Sequence, residues 1–303
     1  MKVLLTGASG FIGQQVLASL RRSGIDVVTV GRTCPHDLVS ASFIQADLLD
    51  ESSLVPLFDR IFPTHLIHLA WVTEYGAYRT SPMNLQWTHA SSQLVQAFCK
   101  AGGRHVVVAG TCFEYDGSHG YCRELTTPLE PATLYGIAKD ATRRLVAAVC
   151  AQHKVSCAWG RVFLLHGKGE DSRRFVPSLL DAFSGARSPF AVNLPAWRDF
   201  LHVSDVAEGL VTLLRSGANG VYNVSSGEPV QLRQLVRTLA GLIDVDPAPI
   251  LDIESPRGRD EPALFVGESL RLRALGWQPR HSLAEGLALT VASRHGQPPP
   301  SSI

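Results

Sequence analysis

Thr6-Gly7-Ala8-Ser9-Gly10-Phe11-Ile12-Gly13 stands between a short apolar run, Val3 to Leu5, and a stretch from Phe11 to Leu20 with apolar residues at helical spacing. The run suits a buried parallel strand, so the glycines fall in a strand-to-helix turn. Gly7 permits the tight turn, Gly10 lets backbone approach a pyrophosphate, and Gly13 lets the helix pack on the sheet. The helix N-terminus offers unpaired N–H groups and a positive dipole end to phosphates. The spacing is Gly-x-x-Gly-x-x-Gly, not the commoner Gly-x-Gly-x-x-Gly of dinucleotide sites. A second motif lies far downstream. Tyr135 and Lys139 are four residues apart in Tyr-Gly-Ile-Ala-Lys and share a helix face. A positive charge beside a phenol lowers its pKa, so the spacing predicts Tyr135 as a general acid/base with Lys139 as its tuner.

Between and beyond these motifs, strands and helices alternate. Strands are expected at 26–30, 41–45, 64–70, 105–109 and 155–163, and helices at 83–100, closed by Gly102-Gly103, and 134–152. The alternation predicts an α/β fold, a doubly wound parallel sheet of the Rossmann kind. The later chain is less regular. Segments 174–183, 189–194 and 229–242 are expected to build a smaller α+β substrate domain, while 202–214 returns to the first domain. The resulting division is 1–163 with 195–222 for the dinucleotide-binding domain, 164–194 with 223–290 for the smaller interleaved domain, and 291–303 for a tail.

With 303 residues and 45% of them hydrophobic, the chain is long enough for a sizeable core. A net charge of +1 gives no field for nucleic acid or a membrane surface. No apolar run is long enough to span a bilayer, and Met1-Lys2 runs straight into the first strand, so a cytoplasmic protein is expected. The six cysteines lack Cys-x-x-Cys spacing and the histidines lack His-x-x-x-His, so reduced thiols and no metal site are expected.

The glycine motif together with Tyr135-x-x-x-Lys139 resembles the extended short-chain dehydrogenase/reductases, the nucleotide-sugar epimerase, dehydratase and reductase group. The resemblance runs from Lys2 to about Thr290 and includes Arg198-Asp-Phe-Leu-His202-Val-Ser-Asp205-Val and Leu275-Gly-Trp277-Gln-Pro279. It implies an NAD(P)-dependent oxidoreductase that works as a homodimer on a nucleotide-linked sugar. It also implies a catalytic hydroxyl at Thr111, four residues before Tyr115, acting with Tyr135 and Lys139. The cofactor would be held by Gly7, Ser9, Gly10, Phe11, Ile12 and Gly13, by Asp47 and Leu48, and by Leu69 and Ala70, together with Tyr135 and Lys139. The residue after Ala70 is often small in the family; here it is Trp71, which narrows the cleft or shapes a sugar pocket. Arg198 and Arg257 match diphosphate-binding arginines, although the usual Arg-Pro-Gly-Asp around the second is altered to Arg257-Gly-Arg-Asp. Thr73 is a candidate pocket residue. His202 and Asp205 are expected to fix the local fold, and Asn84, at a position where the family has an Asn, is expected to give structural support to the active site.

Two departures narrow the reaction. The family's 4,6-dehydratases place Asp and Glu directly after the Thr, where this chain has Cys112 and Phe113, with Glu114 one place too late. Members that combine epimerisation with reduction carry a Cys where Phe113 stands, so Cys112 is expected to be a packed thiol. After the second strand the chain reads Val30-Gly31-Arg32-Thr33, with no carboxylate for a ribose 2′-OH and an arginine suited to a 2′-phosphate. The expected cofactor is NADP(H), with NAD(H) as the alternative. The expected reaction is reduction of the 4-keto group of a nucleotide-linked 4-keto-6-deoxy sugar. The rivals are an NAD-retaining sugar-nucleotide 4-epimerase and a non-catalytic dinucleotide sensor.

Overall fold

The computed structural model describes residues 1–34, 42–253 and 261–294. Strand β1 (Lys2–Thr6), helix α1 (Phe11–Arg22), β2 (Asp26–Gly31), β3 (Phe43–Gln45), α2 (Leu54–Ile61), β4 (His65–His68), α3 (Met83–Lys100) and β5 (His105–Thr111) follow in alternation. Next come β6 (Tyr121–Cys122), α4 (Leu134–Gln152), β7 (Ser156–Val162), β8 (Leu164–His166), α5 (Phe175–Phe183), β9 (Trp197–Arg198), β10 (Phe200–His202), α6 (Val203–Arg215) and β11 (Gly220–Val224). After them lie β12 (Val230–Gln231), α7 (Leu232–Leu242), α8 (Ala248–Leu251), β13 (Leu264–Gly267), α9 (Leu270–Arg273) and α10 (Leu283–Arg294).

Seven strands pair in parallel in the order β11-β7-β5-β4-β1-β2-β3. The order reverses between β1 and β4, which opens a crevice at the strand C-termini, the usual ligand position in such sheets. Both faces are covered. One core packs Val16, Leu20, Leu210 and Leu213 from α1 and α6 on the sheet, and the other packs Leu57, Leu94, Phe98 and Val146 from α2, α3 and α4. Every residue of β5 is buried, as its apolar run Val106-Val107-Val108 requires of a central strand.

A third core joins α5, α7 and α10 through Leu179, Leu235, Leu239 and Leu287. Segment 189–194 forms no helix or strand, but it belongs to this core through buried Val192 and Leu194. Two apolar side chains anchor it without a ladder of backbone bonds. Strand 41–45 is shorter than expected, beginning at Phe43, and residue 41 lies outside the described residues.

Buried Asp199 ties this region to the sheet end. Its carboxylate accepts from the Ser226 N–H and hydroxyl, the Gly227 N–H and the Gly267 N–H at 2.7–3.2 Å. His202 caps α6 by accepting from the Ser204 N–H. Asp205 accepts from His281 through its carboxylate, and from the Trp277 indole through its backbone carbonyl. Both residues thus serve the fold. No helix among the described residues is long and apolar enough to cross a membrane.

Candidate active site

Gly7 adopts φ +71°, a left-handed conformation that suits glycine, and a Cβ there would stand 2.8 Å from the Ala70 nitrogen. A Cβ on Gly13 would fall 2.0 Å from the Gly7 carbonyl oxygen, so α1 can approach the loop only without a side chain there. A buried relay fixes the loop against β4. The Thr6 hydroxyl accepts from the Leu69 and Ala70 N–H groups and lies 2.7 Å from Nδ1 of His68, whose Nε2 lies 2.8 Å from the Ser91 hydroxyl. Burial holds His68 down to about 3, so this ring is neutral. Gly10 is the N-cap of α1, which has no side-chain cap and no acidic residue in its first turn. Its open N–H groups and the glycine cradle fit a pyrophosphate.

All of the expected site residues among the described positions line one cleft of about 1800 Å³. Arg257 lies outside the described residues. The cleft runs from Arg32 and Asp47 at the end of β2 and β3, past the glycine turn, to Thr111, Tyr135 and Lys139, and on to Arg198 and α5.

Thr111 ends β5 and caps the following turn by accepting from the Phe113 N–H. Its own N–H donates to Glu114, whose carboxylate also accepts from the Trp159 indole and, at 2.7 Å, from Arg161. Glu114 is fully buried, and these donors occupy both of its oxygens. Cys112 is buried and its thiol is pushed well above the ordinary range by desolvation, as expected of a packed thiol.

Thr133 starts α4 by accepting from the Gly136 N–H, which sets Tyr135 and Lys139 on successive turns. Their electrostatics differ from the sequence expectation. Burial raises the Tyr135 phenol above its usual range, with the Thr111 hydroxyl beside it pulling the other way. The expected lowering by Lys139 does not dominate, because the ammonium is engaged elsewhere. It donates to the Ala109 carbonyl at 3.0 Å and sits 3.9 Å from the centre of the Trp71 ring. Burial pushes Lys139 down to about 7, opposed by the Glu114 carboxylate. Tyr135 is therefore a neutral phenol, able to donate a proton.

Sequence reasoning missed Tyr78, while Arg174 begins a segment that the family resemblance places against the base or sugar. The Tyr78 ring meets Tyr135 edge-on at 5.0 Å, and the Tyr135 N–H donates to the Arg79 carbonyl. Arg174, at the start of α5, donates to the Thr73 carbonyl at 3.3 Å and lies 4.9 Å from the Tyr78 ring centre. No local periodicity marks these contacts, which join segments far apart in the sequence. Arg198 lines the cleft with its guanidinium bonded to the Trp197 and Pro262 carbonyls and paired with Glu261 at 3.0 Å. Asp47 accepts from the Leu49 N–H and shapes its own loop. Among the described residues no cluster of three or more His, Cys, Asp or Glu side chains could hold a metal ion.

Residues 3–225 match the model of the NAD dependent epimerase/dehydratase family. The chain is 26% identical to the UDP-glucose 4-epimerase of Azospirillum brasilense, over 96% of this chain and 91% of that one. It is 25% identical to the dTDP-6-deoxy-L-talose 4-dehydrogenase (NAD(+)) of Aggregatibacter actinomycetemcomitans, over 88% and 99%. Among solved structures, MoeE5 in complex with UDP-glucose and NAD superposes with a TM-score of 0.84 at 28% identity, covering 98% of this chain and 99% of the other.

Proposed function

The chain belongs to the NAD dependent epimerase/dehydratase family, an extended short-chain dehydrogenase/reductase, and from that premise we propose that it reduces the 4-keto group of a nucleotide-linked 4-keto-6-deoxy sugar with NADPH. The observation that carries the choice within the family is the turn after Thr111. An elimination of water needs an acid and a base there, and the turn supplies a buried thiol at Cys112, an aromatic ring at Phe113 and, at Glu114, a carboxylate whose oxygens are already bonded. What remains at the site is a hydroxyl, a neutral phenol and an ammonium.

A bound reduced nicotinamide supplies the hydride for the carbonyl carbon. Tyr135 donates its phenolic proton to the carbonyl oxygen as that oxygen gains charge. Thr111 holds the same oxygen through its hydroxyl. Lys139 keeps positive charge near the phenol that has lost its proton and binds the nicotinamide ribose hydroxyls. Arg32, on the cleft wall after a strand end, Val30-Gly31, that carries no carboxylate, supports NADP(H) over NAD(H). Arg198, Arg257 and Thr73 are assigned to the sugar-nucleotide side, where a substrate diphosphate would compete with Glu261 for Arg198. We assign residues 1–163 and 195–222 to the cofactor domain and 164–194 and 223–290 to the substrate domain. We also expect a homodimer in the cytoplasm.

A second reading has its own support. The Azospirillum relative is a 4-epimerase, and the MoeE5 structure holds NAD and UDP-glucose. A 4-epimerase would use the same three residues and re-reduce its own intermediate. A panel of nucleotide-linked 4-keto sugars, followed by loss of reduced-nicotinamide absorbance, separates the two. Stoichiometric NADPH consumption supports the reductase. Sugar interconversion with no net cofactor use, on protein that copurifies with NAD, selects the epimerase.

A further inference from the structure

Lys139 is buried, and one of its three N–H donors has a conventional acceptor, the Ala109 carbonyl. The rest of the ammonium faces the Trp71 indole at 3.9 Å from its ring centre, within the range of a cation–π contact. Trp71 stands where the family resemblance implies a small residue, so this contact is built into this chain. The indole is not free to turn. Its Nε1–H donates to Asn84 Oδ1 at 2.8 Å, and its ring lies 6.3 Å from that of Trp87. Asn84 is itself fully buried, and its amide donates to the Tyr78 and Ser81 carbonyls at 2.7 and 2.9 Å. Because Tyr78 packs on Tyr135, one buried amide sets the neighbours of both the phenol and the ammonium.

We propose that Trp71 is a positioning residue for the catalytic machinery: the face of its indole holds the Lys139 ammonium in place, and Asn84 sets the plane of that indole. The inference rests on the reading above only in treating Lys139 as the group that works beside Tyr135. A cation over a desolvated indole is stabilised by the ring quadrupole, which opposes the burial that favours the neutral amine. Three other titratable groups lie near this amine. Glu114 below it favours the ammonium. His68, on β4, feels the charge of Lys139 and is itself neutral. Tyr135 precedes Lys139 by one turn on α4 and is neutral as well. Trp71, by its geometry, and Glu114, by its charge, therefore both oppose the loss of the Lys139 proton that burial favours.

The test compares Trp71→Phe, which keeps an aromatic face, with Trp71→Leu, which fills much of the volume without one. The chain has five lysines, so in protein labelled at lysine Cε the Lys139 resonance can be assigned with Lys139→Gln. In wild type without ligands, the ring current should shift the Lys139 methylene upfield. Trp71→Phe should keep most of that shift. Trp71→Leu should abolish it and lower the titration midpoint of Lys139 by about one pH unit, a tenfold change. In turnover, Trp71→Leu should lower kcat about tenfold and move the acid limb or plateau of the pH profile, while Trp71→Phe stays within about threefold. Equal Lys139 shifts and midpoints in the two variants would overturn the proposal. A Trp71-dependent Lys139 signal in a protein with no turnover would support the contact while counting against the reductase reading.

Discussion

Arg161 donates to Glu114 across 2.7 Å with neither side chain reaching solvent, directly beneath the turn that presents Thr111. The pair sits on β7 and on the turn after β5, and the Arg161 guanidinium also lies 4.4 Å from the Tyr115 ring centre. A buried pair of this kind adds little over apolar residues of equal size, but removing one partner strands the other charge. Arg161→Met should therefore cost about 3–5 kcal/mol in urea unfolding. The double variant Arg161→Met/Glu114→Gln should recover part of the loss. A single variant as stable as wild type would refute the assignment.

Gly13→Ala should abolish dinucleotide binding while leaving most secondary structure intact. The added Cβ would fall 2.0 Å from the Gly7 carbonyl oxygen, which is backbone and cannot swing aside. Overpacking of this kind costs about 1–3 kcal/mol and moves the loop that would cradle the pyrophosphate. Cofactor titration by fluorescence measures it, and wild-type affinity would contradict the placement of the loop.

Stability should fall as the solution is acidified below pH 6.5. His68 and His166 are buried and held down to about 3. The unfolded chain takes up protons at its ordinary value near 6.5, while the folded chain resists until about 3. Between those limits the unfolded state binds more protons, so stability rises with pH and is lost on the way down. The slope approaches about 1.4 kcal/mol per pH unit for each ring below pH 6, or roughly 3 kcal/mol for the two between pH 6.5 and 5. Urea midpoints at the two pH values test this. Equal midpoints would show that these rings are not held neutral.

Arg32→Ala should raise the KM for NADPH by roughly 10–100-fold, the worth of one or two charge-assisted bonds to a phosphate, and leave that for NADH almost unchanged. A wild-type preference for NADH that survives the substitution would point to the epimerase reading.

Much of this arrangement was legible in the chain because it depends on local pattern. Helices 83–100 and 134–152 end where the sequence reading put them. The first stops at Lys100, two residues before Gly102, which adopts φ +85°, and the second starts on a Thr cap. The glycine turn was legible because the spacing of three glycines encodes two close backbone approaches. What local pattern cannot encode is contact between distant segments. Trp71 against Lys139, Glu114 against Arg161 and Arg174 against Tyr78 each join residues far apart in sequence, and no periodicity links them. The electrostatic misreading of Tyr135 has the same origin. The i, i+4 spacing is legible, but burial and the direction taken by the Lys139 side chain depend on β5 and Trp71, which sequence spacing does not reveal.

The most direct test of the account is turnover of a nucleotide-linked 4-keto-6-deoxy sugar by Tyr135→Phe beside wild type, with NADPH affinity measured on the same samples. Loss of the proton donor should lower kcat by about 10²–10⁴-fold with the cofactor Kd unchanged. Wild-type kcat in that variant would show that the phenol of Tyr135 is not the acid and would contradict the account.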